Sequence, residues 1–197
     1  MSVASIFGIW KTKSIEGATG HDLVGAACTV YGSRTSIILY NTQSSKVEEM
    51  TLLQMKNEER WVVTQPNVRI KETKASLFSP GLRSCYDMPG LLDNFREQCI
   101  AGYSLRHSGC MGLDCYQIFI KGQGIYSKFD TLAHPSNLHL IYEILPIGFL
   151  IEKAGGKTDD GHGHSVLDTR VVGSSQRISF IAGNAFEVNK MKERFSK

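Results

Sequence analysis

No block of five or more like charges occurs in this 197-residue chain, and no apolar run is long enough to span a bilayer. A basic stripe with interleaved aromatics is also missing. Arg69, Lys71 and Lys74 are too sparse to follow a phosphodiester backbone, so a nucleic-acid partner is not expected. The formal charge is only +3, which suits a few basic residues converging on a small anion. Paired cysteines are lacking too. Cys28, Cys85, Cys99, Cys110 and Cys115 are odd in number and contain no C-x-x-C pair, which argues for reduced intracellular thiols and against a zinc site. The opening Met1-Ser2-Val3-Ala4 carries no charged leader, and the ending at Lys197 is no peroxisomal address. The expected location is therefore the cytoplasm or an organellar matrix, the plastid stroma included, with no membrane partner and no secretion.

What is present is a core. At 42% hydrophobic residues the chain has ample material for one domain, or one domain and part of another. The spacing predicts a strand over 2–10, a loop to Gly20, and a helix from His21 to Tyr31 carried by Leu23, Val24, Ala27 and Val30. Strands rich in β-branched and aromatic residues are expected at 34–40, 47–55 and 61–64, with a turn at Asn57-Glu58-Glu59. A strand so near the first residue reads as a cut into an existing sheet, or as a native edge. Beyond it strand and helix alternate, which predicts an α/β layer structure. Strands are expected at 75–78, 103–107, 124–129 and 178–182. Helices are expected at 91–100, around Leu113–Ile120, at 137–154 and at 186–195, the third ended by Gly155-Gly156.

The helix at 137–154 is apolar around nearly its whole circumference, so it is expected to be buried, and Glu143 with it. A carboxylate in that setting must be protonated, paired or bound to a cation. Glu152, nine positions on, projects half a turn away and reads as a solvated end-of-helix residue. Pro146 removes one backbone donor and is expected to bend the helix. In Asp159-Asp160-Gly161-His162-Gly163-His164, a metal site competes with a polar turn. Cys110, beside a helix start, is either a reactive thiol or a small residue packed at a turn. Arg106 and His107, just upstream, point to a phosphate seat or to surface ion pairing.

These residues sit in recognisable strings. SIFGIW, TGHDLVGAACTVYGSRTS, FSPGLRS, LRHSGCMGLDCYQIFIKGQGIYS and YEILPIGFLIEKAGGKTDDGHGHSVLD resemble, in order, the class I fructose-1,6-bisphosphatases. The strings QIFIKGQGIYS and DGHGHSVLD look closer to the sedoheptulose-1,7-bisphosphatases. The resemblance implies a layered α/β sugar-phosphatase fold, with 1–74 as a remnant of the amino-terminal domain and 75–197 as the carboxyl-terminal domain. It implies a Mg²⁺-assisted attack of water on the 1-phosphate of a ketose bisphosphate. Glu143 falls on the family's helix-borne metal ligand, in a catalytic role. Arg106 falls on an arginine that binds the distal phosphate from a neighbouring subunit, which implies a homo-oligomer. Met111 falls on a residue lining the sugar pocket.

The departures are specific. The family's Asp-Pro-Leu-Asp-Gly-Ser motif, with its metal carboxylates, is not found before SVASIFGIW, so the chain is expected to be an amino-terminally truncated member with little activity alone. His107 stands where the family has Tyr, Asn137 where it has Lys, and His139 where it has Arg. The family's Ser-Pro-Gly-Asn-Leu-Arg lacks its Asn in Ser79-Pro80-Gly81-Leu82-Arg83. Arg83, Arg106, His107, Met111 and Asn137 are thus the expected substrate-binding residues. A degenerate, non-catalytic subunit is the competing expectation.

Overall fold

The computed structural model describes residues 3–56 and 58–195. Five antiparallel strands, β1 (Val3–Trp10), β2 (Leu23–Tyr31), β3 (Ser36–Asn41), β4 (Lys46–Met55) and β5 (Glu58–Gln65), form a meander in sequence order. β2 corrects the helix expected at His21–Tyr31. Its buried hydrophobic residues are Leu23, Ala26, Cys28 and Val30. The period of two breaks once, because Trp10 pairs with Leu23 and Ile9 with Gly25, which leaves Val24 as a bulge. That extra residue shifts the phase and makes Leu23, Val24, Ala27 and Val30 mimic helical spacing. Of the expected turn at 57–59, Asn57 lies outside the described residues, and Glu58 and Glu59 already pair with Met55 and Gln54.

The second sheet has the order β7-β6-β8-β10-β9, built from β6 (Leu77–Pro80), β7 (Ser104–Leu105), β8 (Ile125–Lys128), β9 (Lys157–Asp159) and β10 (Phe180–Gly183). β6 runs parallel to β7 and β8, whereas β10 is antiparallel to β8 and β9. Helices α2 (Met111–Lys121) and α3 (Leu145–Lys153) lie between the two sheets. One core joins their Ile118, Phe119, Ile147 and Leu150 to Cys28 and Ile38 on one side and to Tyr126 and Phe180 on the other. Helices α1 (Leu91–Ile100) and α4 (Ala185–Phe195) cover the far face of the second sheet, where Phe78, Ile125 and Ile181 meet Leu91, Val188 and Met191. The result is a sheet–helix–sheet–helix stack, the layered α/β architecture expected.

The helix expected from Asn137 is shorter. His139 is still extended, and a single π turn (Leu140–Ile144) precedes α3. Pro146 offers no N–H to the carbonyl four residues back, and the amides of Ile144 and Leu145 instead reach five residues back, to His139 and Leu140. At its other end α3 closes as expected: Gly155 has φ +92°, and the amides of Gly155 and Gly156 donate to Glu152 and Ile151.

Candidate functional site

Strand β8 ends in Lys128 beside the loop that follows β6, and this edge borders a cleft of about 660 Å³. Arg83, His107, Lys128, His134 and Asn137 line it. A smaller hollow of about 100 Å³ adjoins it, sharing His107, Lys128 and Asn137 and adding Met111. Four of the expected substrate residues therefore come together: Arg83, His107, Met111 and Asn137. They come from four separate segments, and each has a local reason for its place.

Ser84 Oγ donates to the carbonyl of Gly81, which closes the turn that presents Arg83. Arg106 N donates to Phe78 O, tying the start of the loop that carries His107 to β6. Asp114, buried at the start of α2, accepts the Ser108 amide at 2.9 Å and holds the Ser108–Cys110 loop, where Gly109 has φ +78°. Cys110 is the residue before α2, at that turn. Asn137 accepts a hydrogen bond from the Lys128 ammonium. On the outer wall, Asp87 accepts from Thr131 Oγ1 at 2.6 Å and pairs with His134 Nδ1 at 2.7 Å. Those two bonds hold the Asp87 carboxyl below the usual carboxylate range, the Thr131 hydroxyl contributing most.

Lys128 and Asp114 had no signal in the sequence. A lysine at the end of a short strand reads as solvated, and an aspartate near a helix start reads as a cap. Lys128 is half-buried, and burial lowers its pKa from the ordinary lysine value. The neighbouring Arg83 charge lowers it further, while Glu143 acts in the opposite sense.

Glu143 departs from the expected picture, and Arg106 stands apart from the cleft. Glu143 is not sealed in the core, since its side chain keeps 28% of its exposure. The π turn directs it to the open flank, beside the exposed Tyr142. Its Oε2 accepts the His139 backbone amide at 2.8 Å and meets the His139 ring Nδ1 at 3.2 Å. Arg177 Nη2 lies 3.3 Å from the other ring nitrogen, Nε2. Arginine can only donate, so Nε2 carries the lone pair and the ring proton sits on Nδ1, facing Glu143. Glu143 is thus hydrogen-bonded through Oε2 to both His139 donors. Arg106 is exposed, turns its guanidinium to the Leu105 carbonyl at 3.0 Å, and does not line the cleft.

One further expectation changes, and one open alternative is met by its turn reading. Glu152 is not a free solvated end: it accepts from Thr158 Oγ1 at 2.5 Å and Ser165 Oγ at 2.6 Å. The Asp159–His164 segment is a turn. Asp159 and Asp160 cap the amides of Gly161 and His162, and Asp160 N donates to His164 O. Among the described residues no three His, Cys, Asp or Glu side chains cluster as a metal site.

The profile of the family "Fructose-1-6-bisphosphatase, C-terminal domain" matches residues 70–196. The chain is 34% identical over 193 residues to the chloroplastic sedoheptulose-1,7-bisphosphatase of Triticum aestivum, covering 98% of this chain and 48% of that protein. It is 28% identical over 200 residues to the class 1 fructose-1,6-bisphosphatase of Campylobacter curvus, covering 100% of this chain and 63% of the relative. Among solved structures, a Toxoplasma gondii protein assigned as a sedoheptulose-1,7 bisphosphatase matches with a TM-score of 0.86 at 28% identity, over 98% of this chain and 66% of that one. The fructose-1,6-bisphosphatase of Leishmania major matches with a TM-score of 0.83 at 25% identity, over 98% and 64%. The chain thus spans about half the length of the sedoheptulose-1,7-bisphosphatases it matches.

Proposed function

Because the chain belongs to the fructose-1,6-bisphosphatase family, through that family's carboxyl-terminal domain, we propose that it serves a sugar-bisphosphatase. The substrate on this reading is sedoheptulose 1,7-bisphosphate, or fructose 1,6-bisphosphate, losing its 1-phosphate to water. The observation that carries the reading is the meeting of Arg83, His107 and Asn137 around one cleft, with Met111 in the hollow that shares His107 and Asn137 with it. A phosphomonoester needs several converging donors, and a sugar ring needs an apolar wall; Arg83 with His107 and the buried Met111 offer these. The sedoheptulose substrate is favoured because two relatives at 34% identity carry that name and the fructose-named ones compared stand at 28–29%.

On this reading Arg83 and His107 orient the phosphorylated end of the ketose and Met111 packs beside its carbon chain. Arg106 faces outward, where it can reach the distal phosphate held by another copy, so a homo-oligomer is part of the proposal. Mg²⁺ is the proposed metal and Glu143 one of its ligands, through Oε1, which takes no hydrogen bond among the described residues. Magnesium takes about six oxygen ligands, several of them water, and is usually held by one or two carboxylates and the substrate phosphates. With one carboxylate tied to His139 and no cluster of three ligating side chains described, these residues do not compose the family's site. A cytoplasmic or organellar-matrix location belongs to the same proposal. Among the described residues no helix is long and apolar enough to cross a membrane.

The incomplete carboxylate set favours one second reading, a non-catalytic family member that binds the bisphosphate within an assembly. Calorimetric titration of the 197-residue chain with sedoheptulose 1,7-bisphosphate and fructose 1,6-bisphosphate tests the common ground. Binding is expected, and absence of binding to both would end the reading. Phosphate release assayed with and without Mg²⁺ then separates the two. Little or no release is expected from this chain alone, and metal-dependent release would eliminate the non-catalytic alternative.

A further inference from the structure

The family pattern places a lysine at the position of Asn137, and a neutral amide there would leave the sugar phosphate without that cation. The structure supplies one from elsewhere. Lys128, nine residues earlier and on β8, donates from its ammonium to Asn137 Oδ1. Its charge therefore stands one hydrogen bond from the side chain that replaced the lysine. Both residues line the larger cleft and the smaller hollow beside it.

The electrostatics of this ammonium are unusual for a surface lysine. Such a chain normally extends its head into water. Lys128 instead stays half-buried in a concave wall, on the same cleft as the Arg83 guanidinium. Among the described residues neither cation forms an ion pair. The carboxylates nearby each hold another partner: Asp87 holds Thr131 and His134, Asp114 the Ser108 amide, Asp130 the Ser136 amide, and Glu143 His139. At Lys128 the Arg83 charge outweighs the opposing Glu143 charge, so the two like charges on this cleft are only partly offset in the free protein and are relieved when an anion binds between them. Asn137 contributes twice. Its carbonyl oxygen orients the ammonium, and its NH₂ group, which makes no hydrogen bond among the described residues, can offer two donors to the ligand.

We propose that Lys128, held by Asn137, is the ammonium that grips a phosphoryl group of the ketose bisphosphate in this chain, in place of the family's lysine at 137. The assignment rests on the cleft being the bisphosphate site. It makes Lys128 a binding residue and Asn137 both its positioner and a ligand donor. The charge has moved from the segment before α3 to the end of β8.

Titration calorimetry with fructose 1,6-bisphosphate and with inorganic phosphate tests it on the full chain. Lys128→Asn is expected to weaken both about ten- to a hundredfold, the usual scale for one charge-assisted hydrogen bond. The exchange variant Lys128→Asn/Asn137→Lys is expected to recover most of that loss, because it returns the cation to the same cleft from the other root. Wild-type binding that Lys128→Asn leaves unchanged would overturn the assignment while leaving the cleft reading intact. A folded exchange variant that recovers nothing would also overturn it. A wild type that binds neither ligand would remove both. If Lys128→Asn does not fold, reductive methylation of the unaltered chain decides the matter by mass spectrometry. Saturating bisphosphate should protect Lys128 and leave Lys192 reactive, and equal labelling of both in the bound chain would refute the proposal.

Discussion

Glu143 reaches back to the His139 amide across the first turn of its helix, the geometry of a carboxylate that caps an amino terminus. That bond gives the residue a structural task independent of any metal. Glutamine keeps a carbonyl oxygen that can accept both His139 donors, whereas alanine removes it. Glu143→Ala is therefore expected to cost about 1 kcal/mol of stability and Glu143→Gln much less, read from urea denaturation. Equal losses would mean that the negative charge, and not the hydrogen bond, matters there. Elsewhere burial decides reactivity. The Cys28 thiol is pushed up to about 12 by burial, with Cys110 adding to it, so it is held as a thiol.

At the scale of elements, the end of α3 shows two glycines needed for different reasons. Gly155 adopts φ +92°, a conformation that L side chains rarely take. Gly156 has an ordinary φ, but a Cβ there would lie 2.5 Å from the Gly183 carbonyl on β10. Gly155→Ala should lower stability by about 1–2 kcal/mol. Gly156→Ala should lower it more, because backbone of the adjacent strand has to shift. Gly32, with open space around it, serves as the control and should tolerate alanine with little change. Chemical denaturation of the three variants checks that order, and a Gly32 variant as damaged as the others would contradict it. The π turn is a second device at this scale. It aims Glu143 outward from a segment whose Leu140, Ile144 and Leu145 are fully buried.

For the whole molecule, the first sheet is covered on one face only. Ile6, Trp10, Cys28 and Ile38 pack into the core through α2 and α3. The opposite face presents Phe7 at 54%, Ile9 at 62%, Trp61 at 42% and Val63 at 44% exposure. A contiguous apolar face of this kind drives association. The purified chain is expected to bind an apolar dye such as ANS and to grow in light-scattering mass with concentration. The variant Phe7→Lys/Val63→Lys should suppress both. A wild type that stays monomeric at high concentration and leaves the dye dark would contradict this.

Much of this was legible in the chain itself. Local periodicity determined α1, α2, α4 and most strands, because each buries one face against a layer and the pattern must follow the helix or strand period. The glycine pair after α3 marked its end, and the motif strings marked the family, Arg83, His107 and Met111. Periodicity misled where one residue broke the phase, at the Val24 bulge, and where a π turn loosened the helix around Glu143. The cleft itself was a tertiary decision. Asn137 was marked by the resemblance but Lys128 is unremarkable in sequence, and only the packing of β8 against the segment before α3 brings its ammonium to the amide that stands where the resemblance implies a lysine. Local forces set the elements, but which charges share a cavity depends on how distant segments meet, and no local pattern encodes that.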